Sequence, residues 1–222
     1  MKNMNKSKNT LLLSVGILLL LVVATSGYFA TNYMAQKIEA DERSNLLLRA
    51  ETIAALIDVN DLSTLTGSSS DTGTTAHNNI KMALESVRAI NTDTRFVYIL
   101  GQRGDSQFFY ADAEPTESSD YSLPGDPYAD ALPADIANYK EKIPYTKGPY
   151  TDAWGNWFSA FAPITAPDGT MLGQLGMDIE SEKLLLRITI VKQATIIIFT
   201  LLFLSVLVVL ILLRDESPFT RK

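Results

Sequence analysis

Between Tyr150 and Trp157 the chain reads Tyr-Thr-Asp-Ala-Trp-Gly-Asn-Trp, placing side chains of two complementary kinds within one short stretch. The rings of Tyr150, Trp154 and Trp157 offer apolar area and a negatively polarised face, and Asp152 offers a full negative charge. Such a set holds an organic cation: the rings contact its alkyl surface while the carboxylate neutralises and orients it. The same residues also have an architectural reading, with Trp154, Trp157 and Phe161 as core and Asp152 capping the turn at Gly155.

Groups for covalent or metal chemistry are scarce. The chain has no cysteine, which excludes disulfides and thiolate metal sites. His77 is the sole histidine and lies beside a Gly/Ser/Thr loop at a helix start. It therefore supports neither a Ser-His triad nor a multi-histidine metal centre, and it reads as a surface residue. The spacing of Asp120, Asp126 and Asp130 matches no EF-hand loop, and Pro124 and Pro127 interrupt it. Arg103-Gly104-Asp105 has the composition of a hairpin turn, which accounts for it better than an adhesive role does. No catalytic residue, metal or cofactor is expected.

Hydrophobic residues make up 46 % of the 222 and are concentrated at the two ends. Leu11 to Ala24 is almost wholly apolar, and a helix from Thr10 to Ala30, rising ~1.5 Å per residue, crosses a hydrocarbon core of roughly 30 Å. Ala194 to Leu213 carries no charge, and Lys192 and Arg214 bracket it where long side chains snorkel to the headgroups. Lys2, Lys6 and Lys8 followed by Ala24-Thr25-Ser26 also fit a cleaved signal peptide, but apolar character continuing past Ser26 favours an anchor. The basic residues before the first span, and Arg214, Arg221 and Lys222 after the second, place both ends in the cytoplasm. The expected organisation is a cytoplasmic N-terminus (1–9), a first span (10–30), an extracytoplasmic domain (31–187), a second span (188–213) and a cytoplasmic tail (214–222), in the inner (plasma) membrane. The outer segment holds 12 Lys or Arg against 23 Asp or Glu, a net charge of −11. That excess repels nucleic acid and anionic surfaces and favours cationic or neutral ligands, beyond its part in solvation.

Several elements must position the chemistry. Thr31 to about Asp58 favours helix, polar from Lys37 to Asn45 and then striped by Leu46, Ala50, Ile53 and Ile57. Asp61 to Leu65 reads as a short helical turn and Gly67 to Thr75 as a loop. A second amphipathic helix carries Ile80, Leu84, Val87 and Ile90 on one face. Arg95 to Leu100 and SQFFYAD have strand character, and a Pro- and Asp-rich loop over 112–148 contains a short helix near Ala134 to Lys140. Trp157 to Thr165 and Thr170 to Asp178 form a final hairpin about the Pro167-Asp168-Gly169 turn. Asp178 reads as the N-cap of the following helix, with Glu180 and Glu182 complementing its dipole. The sum is an α+β arrangement.

The stretch AALIDVNDLSTLTGSSSD, then IKMALESVRAINTDTRFVYIL, then PYTDAWGNWFSAFAPI and GQLGMDI resembles the single-Cache (PDC) sensor domains of bacterial transmembrane signalling proteins, over roughly residues 45–183. These precede diguanylate cyclase, HD-GYP, histidine kinase or chemoreceptor outputs. The resemblance implies a long N-terminal helix, a PAS-like antiparallel sheet of about five strands, and a ligand pocket between the sheet and its covering loops. It points to Tyr98, Tyr110, Asp112, Tyr128, Tyr150, Asp152, Trp154 and Trp157 as ligand-binding residues. Tyr150-Thr151-Asp152 resembles the Tyr-x-Asp element with which amino-acid-binding relatives hold a ligand ammonium, but the Arg-x-Trp-Tyr element that takes the carboxylate is missing here.

The resulting expectation is a receptor module whose outer domain binds an amine, amino acid or carboxylate and whose second span reports occupancy. Its partners would be the small molecule, the lipid bilayer and a cytoplasmic output, with no nucleic acid. Without sustained heptads, a homodimer through the long helix is compatible but not specified. The alternative is a two-span adaptor or structural subunit that uses the same fold to contact a protein. No output domain occurs before Lys222, which leaves open a fragment of a larger signalling protein or a stand-alone sensor.

Overall fold

The computed structural model describes residues 2–215, with side chains for residues 10–213. The chain divides into two compact units, one of residues 1–40 and 185–222 and one of residues 41–184.

The first unit contains most of α1 (Lys2–Ala54) and most of α5 (Ser181–Asp215). The stretches Thr10–Ala54 and Ser181–Leu213 are long and apolar enough to cross a membrane. Small residues let the two helices approach: a Cβ on Gly16 would lie 2.7 Å from Leu210, and one on Gly27 would lie 2.9 Å from Phe199. The basic residues of the tail at Arg221 and Lys222 lie outside the described residues.

The second unit is an α+β domain. Its sheet has six strands: β1 (Thr94–Arg103), β2 (Ser106–Asp112), β3 (Pro127–Tyr128), β4 (Tyr145–Thr151), β5 (Asn156–Thr165) and β6 (Met171–Glu180). They lie in the order β3-β2-β1-β6-β5-β4, with every neighbouring pair antiparallel. The long helix and antiparallel sheet implied by the resemblance are both present, with six strands rather than about five. β4 falls mostly within the stretch expected to be loop.

One face of the sheet is covered by helices. Leu46, Ala50 and Ala54 of α1 are buried, as are Leu62 of α2 (Val59–Thr64) and Ile80 and Leu84 of α3 (Thr75–Ile90). The sheet residues Val97, Ile99, Phe158, Ala160, Leu175 and Met177 are wholly buried, with α3 packed against β1 and β2 and α2 against β6. The Arg43 guanidinium lies over the Phe158 ring and donates to Gly148 O at 2.8 Å, fixing α1 to β4 and β5. Two expectations fail on α3. Ile90, expected on its apolar face, is 81 % exposed at the last residue of the helix. His77, expected at the surface, is 2 % exposed, because the apolar face of the helix begins one turn earlier than Ile80.

The hairpins follow their turn chemistry. Gly104, between β1 and β2, has φ +59°, and Arg103 donates to Thr66 O and Gly67 O while Asp105 pairs with Lys140 at 2.8 Å. The tripeptide is thus engaged within the domain. Gly169 has φ +83° and donates to Ala166 O, and Thr170 N donates to the Asp168 carboxylate at 2.9 Å, closing the turn from β5 to β6.

Candidate functional site

The face of the sheet opposite the helices carries the candidate site. Strand alternation puts Phe96, Tyr98 and Leu100 of β1 on this face, with Trp157, Ser159 and Phe161 of β5 and Gln174, Gly176 and Asp178 of β6 beside them. On β2, Phe109 opposes Leu100 whereas Asp112 opposes Tyr98, because a bulge absorbs Tyr110 and shifts the register. The extra residue brings Phe109 and Asp112, which regular alternation would place on opposite faces, to the same face. Gly176 leaves the space the Tyr98 ring occupies, since a Cβ there would lie 2.3 Å from Tyr98 Cε2.

The aromatic rings form one cluster. Phe96 meets Trp157 edge-on at 5.0 Å, Tyr98 meets Phe109 at 5.4 Å, and Tyr145 stacks on Phe161 at 4.9 Å. A pocket opens among Phe96, Tyr98, Phe109, Tyr128 and Trp154, and four carboxylates reach it: Asp112, Asp120, Asp152 and Asp178. It is narrow, about 20 Å³, which is room for one water.

Each carboxylate is held differently. Asp152 Oδ1 accepts from Trp154 N at 2.9 Å, Gly155 N at 3.1 Å and Trp157 Nε1 at 2.7 Å, so this oxygen fixes the β4–β5 turn. Asp112 accepts from the backbone of Glu114 and Ser122, each at 2.9 Å, and so staples both ends of an intervening loop. Burial pushes the Asp112 carboxyl up to about 6, against those two hydrogen bonds. Asp120 pairs with Arg95 at 2.7 Å; Arg95 also pairs with the buried Glu114, which meets Arg88 at 2.7 Å. These arginines tie the loop bearing Asp120 and Ser122 to β1 and α3. Asp178 is 4 % exposed and accepts from Tyr98 Oη at 3.2 Å. Burial pushes its carboxyl up to about 7. No ion pair reaches Asp112, Asp152 or Asp178 among the described residues, and Lys147, the nearby ammonium, pairs with Asp135 at 2.7 Å.

Five of the eight residues singled out in the sequence line this pocket: Tyr98, Asp112, Tyr128, Asp152 and Trp154. Tyr150 packs at the edge of the aromatic cluster and shares a hydrogen bond with Ser159 at 3.0 Å. Trp157 belongs to the cluster itself, behind Asp152. Tyr110 is brought elsewhere: as the bulge residue it packs edge-on against Phe108 at 4.9 Å. Phe96, Phe109, Asp120, Ser122 and Asp178 line the pocket but were not singled out. Asp178 is not a helix cap. It lies inside β6, opposite Phe96 and Ser159, and α5 begins three residues later at Ser181. The strand period counted from Gly176 was the signal that would have turned it toward the rings. Glu182 does lie in the first turn of α5, where it accepts from Asn156 Nδ2 at 2.8 Å.

Comparison with solved structures finds sensor domains at low identity. The ligand-binding domain of the Campylobacter jejuni chemoreceptor Tlp3, in complex with L-valine, is 21 % identical with a TM-score of 0.43, covering 72 % of this chain and 64 % of that one. The chain thus spans less than two thirds of that domain's length. The Escherichia coli DcuS sensor domain is 15 % identical with a TM-score of 0.48, covering 69 % of this chain and 98 % of that one. An extracellular ligand-binding receptor from Desulfohalobium retbaense is 13 % identical with a TM-score of 0.48, covering 74 % of this chain and 27 % of that one. No family model and no curated protein matches the chain.

Proposed function

We propose that residues 31–187 are the extracytoplasmic sensor of a two-span membrane receptor, that the pocket takes a small molecule bearing a positive charge, and that the second span carries occupancy to a cytoplasmic output. The observation that carries this reading is Asp178, a buried carboxylate without an ion-pair partner among the described residues, set among aromatic rings on the strand that runs directly into α5. Buried charge is costly unless matched, and a cation supplied by a ligand is the missing match. Ring faces and the remaining oxygen of Asp152 complete its surroundings. An amine or the ammonium end of an amino acid meets these requirements, whereas a free carboxylate would face four of its own kind.

Drawing Asp152 and Asp178 toward a shared cation displaces β6, and α5 follows by about 1–2 Å, the scale of helix shifts in known switches. The ligand moves this equilibrium only by its differential affinity for the two states. One observation favours the adaptor reading instead: the pocket as it stands admits a single water, so a ligand must displace Trp154 or the loop bearing Asp120. Thermal unfolding of the full chain in lipid nanodiscs, with methylammonium, larger amines, amino acids and dicarboxylates, separates the two. Stabilisation by cationic compounds supports the sensor. Stabilisation by dicarboxylates alone removes the cation, and no stabilisation by any compound favours the adaptor.

A further inference from the structure

Asp178 differs from the other carboxylates at the pocket. Asp112 and Asp152 accept N–H groups and Asp120 has Arg95. Asp178 is held by hydroxyls, Tyr98 from β1 and Ser159 from β5. The other groups around it are Asp112 of β2, Tyr128 of β3, and Lys147, Tyr150 and Asp152 on and beside β4. Of these only Lys147 is cationic, and it is engaged with Asp135. The Tyr128 hydroxyl is also buried at the pocket, with the Tyr150 hydroxyl as its neighbour. A carboxylate so enclosed has two ways to avoid an uncompensated charge: hold a proton, or receive a cation.

We propose that Asp178 is a proton-binding site in direct competition with the cationic ligand, so that the domain senses extracytoplasmic acidity through the same pocket. In acidic medium the empty site holds a carboxylic acid. Entry of the cation breaks the Asp178 O–H bond, the proton leaves to solvent, and the carboxylate takes the ligand's charge in its place. The apparent affinity for a permanent cation therefore falls as the medium becomes acidic, and acid returns β6 to its unoccupied position. The raised carboxyl of Asp178, with burial the largest cause, hydrogen bonds from Ser159 and Tyr98 opposing it and Asp152 adding to it, agrees with this exchange. The competition half rests on the cation reading above; the proton half does not.

Infrared pH-difference spectra of the full chain in nanodiscs test the proton half without any ligand. A protonated carboxyl C=O band should vanish as the pH rises through about 7, and Asp178→Asn should lack it. Tyr98→Phe keeps the ring, removes a hydrogen bond to the ionised form, and should move the midpoint upward. No band with a midpoint near 7 beside the one near 6 from Asp112, or a band unmoved by both variants, overturns the proposal. Methylammonium, which stays charged over this range as a lysine ammonium does, tests the competition. Its binding should be roughly a hundredfold weaker at pH 5 than at pH 8, and Asp178→Asn, which removes the charge the cation pairs with, should bind it weakly at both. A band with no methylammonium binding leaves the proton site standing and removes the cation reading. Binding that ignores pH overturns the competition.

Discussion

On the helix-covered face of the sheet, Val97, Ile99, Phe158, Ala160, Leu175 and Met177 are wholly buried and purely apolar. On the other face, one residue away along the same strands, Asp112, Asp178 and Gln174 are buried almost as deeply. Tyr128, Tyr145 and Tyr150 there keep their hydroxyls largely out of water, and burial pushes each phenol up. The first face contributes hydrophobic stabilisation, and the second gives some of it up to keep polar groups out of water. A face maintained at that cost is where a ligand has most to offer, because it can satisfy groups the fold leaves unmatched. The comparison predicts that mutations on the two faces differ in kind: the first should change stability alone, and the second should change binding and pH dependence.

Phe158→Ala should have the largest effect. The side chain is wholly buried under Arg43, and its loss should cost about 3–5 kcal/mol, read by chemical denaturation of the full chain. Binding per folded molecule should be unchanged; a selective loss of affinity would show that the faces are not separable.

Asp178→Asn should act in the opposite direction. Below about pH 4 the carboxyl is protonated in folded and unfolded chains alike. With the folded value near 7, only the folded chain holds the proton between about pH 4 and 7, so stability falls as the pH rises through that window and levels off above it. Asp112 adds a smaller fall, ending near pH 6. The Asn variant should remove most of this slope and be more stable than the wild type at pH 8 by roughly 1–4 kcal/mol. A wild-type stability that rises from pH 4 to 7 would contradict the assignment.

Arg95→Ala should matter less for folding and more for the loop. It removes both the Asp120 pair and one partner of the buried Glu114, leaving Arg88 in place. A loss of about 1–3 kcal/mol is expected. Hydrogen exchange should quicken over residues 113–126 rather than across the sheet, and uniform quickening would show that the loop is not a separate unit.

The final hairpin was legible because WFSAFAPI alternates and Asp168-Gly169 supplies the turn, and α3 because its stripe is regular. β4 was not, because Gly148 and Pro149 break the strand pattern and its residues are only partly buried. The pocket was half legible. Trp154 and Asp152 announce themselves by type, but Asp178 required the register of β6 against β1, and Phe109 with Asp112 required the bulge at Tyr110. Such information lives in strand pairing, which a single sequence does not display.

Asp152→Asn tests the account most directly, since it should have the smallest effect on stability and a clear one on binding. Its Oδ1 accepts all three turn hydrogen bonds, and an amide oxygen can accept them equally, so stability should change by less than about 1 kcal/mol. Binding of the amine that most stabilises the wild type, measured by calorimetry in nanodiscs at pH 8, should weaken by about ten- to a hundredfold, or 1.4–2.8 kcal/mol. An unchanged affinity with an unchanged fold would remove Asp152 from the site and contradict a cation-binding pocket on this face of the sheet.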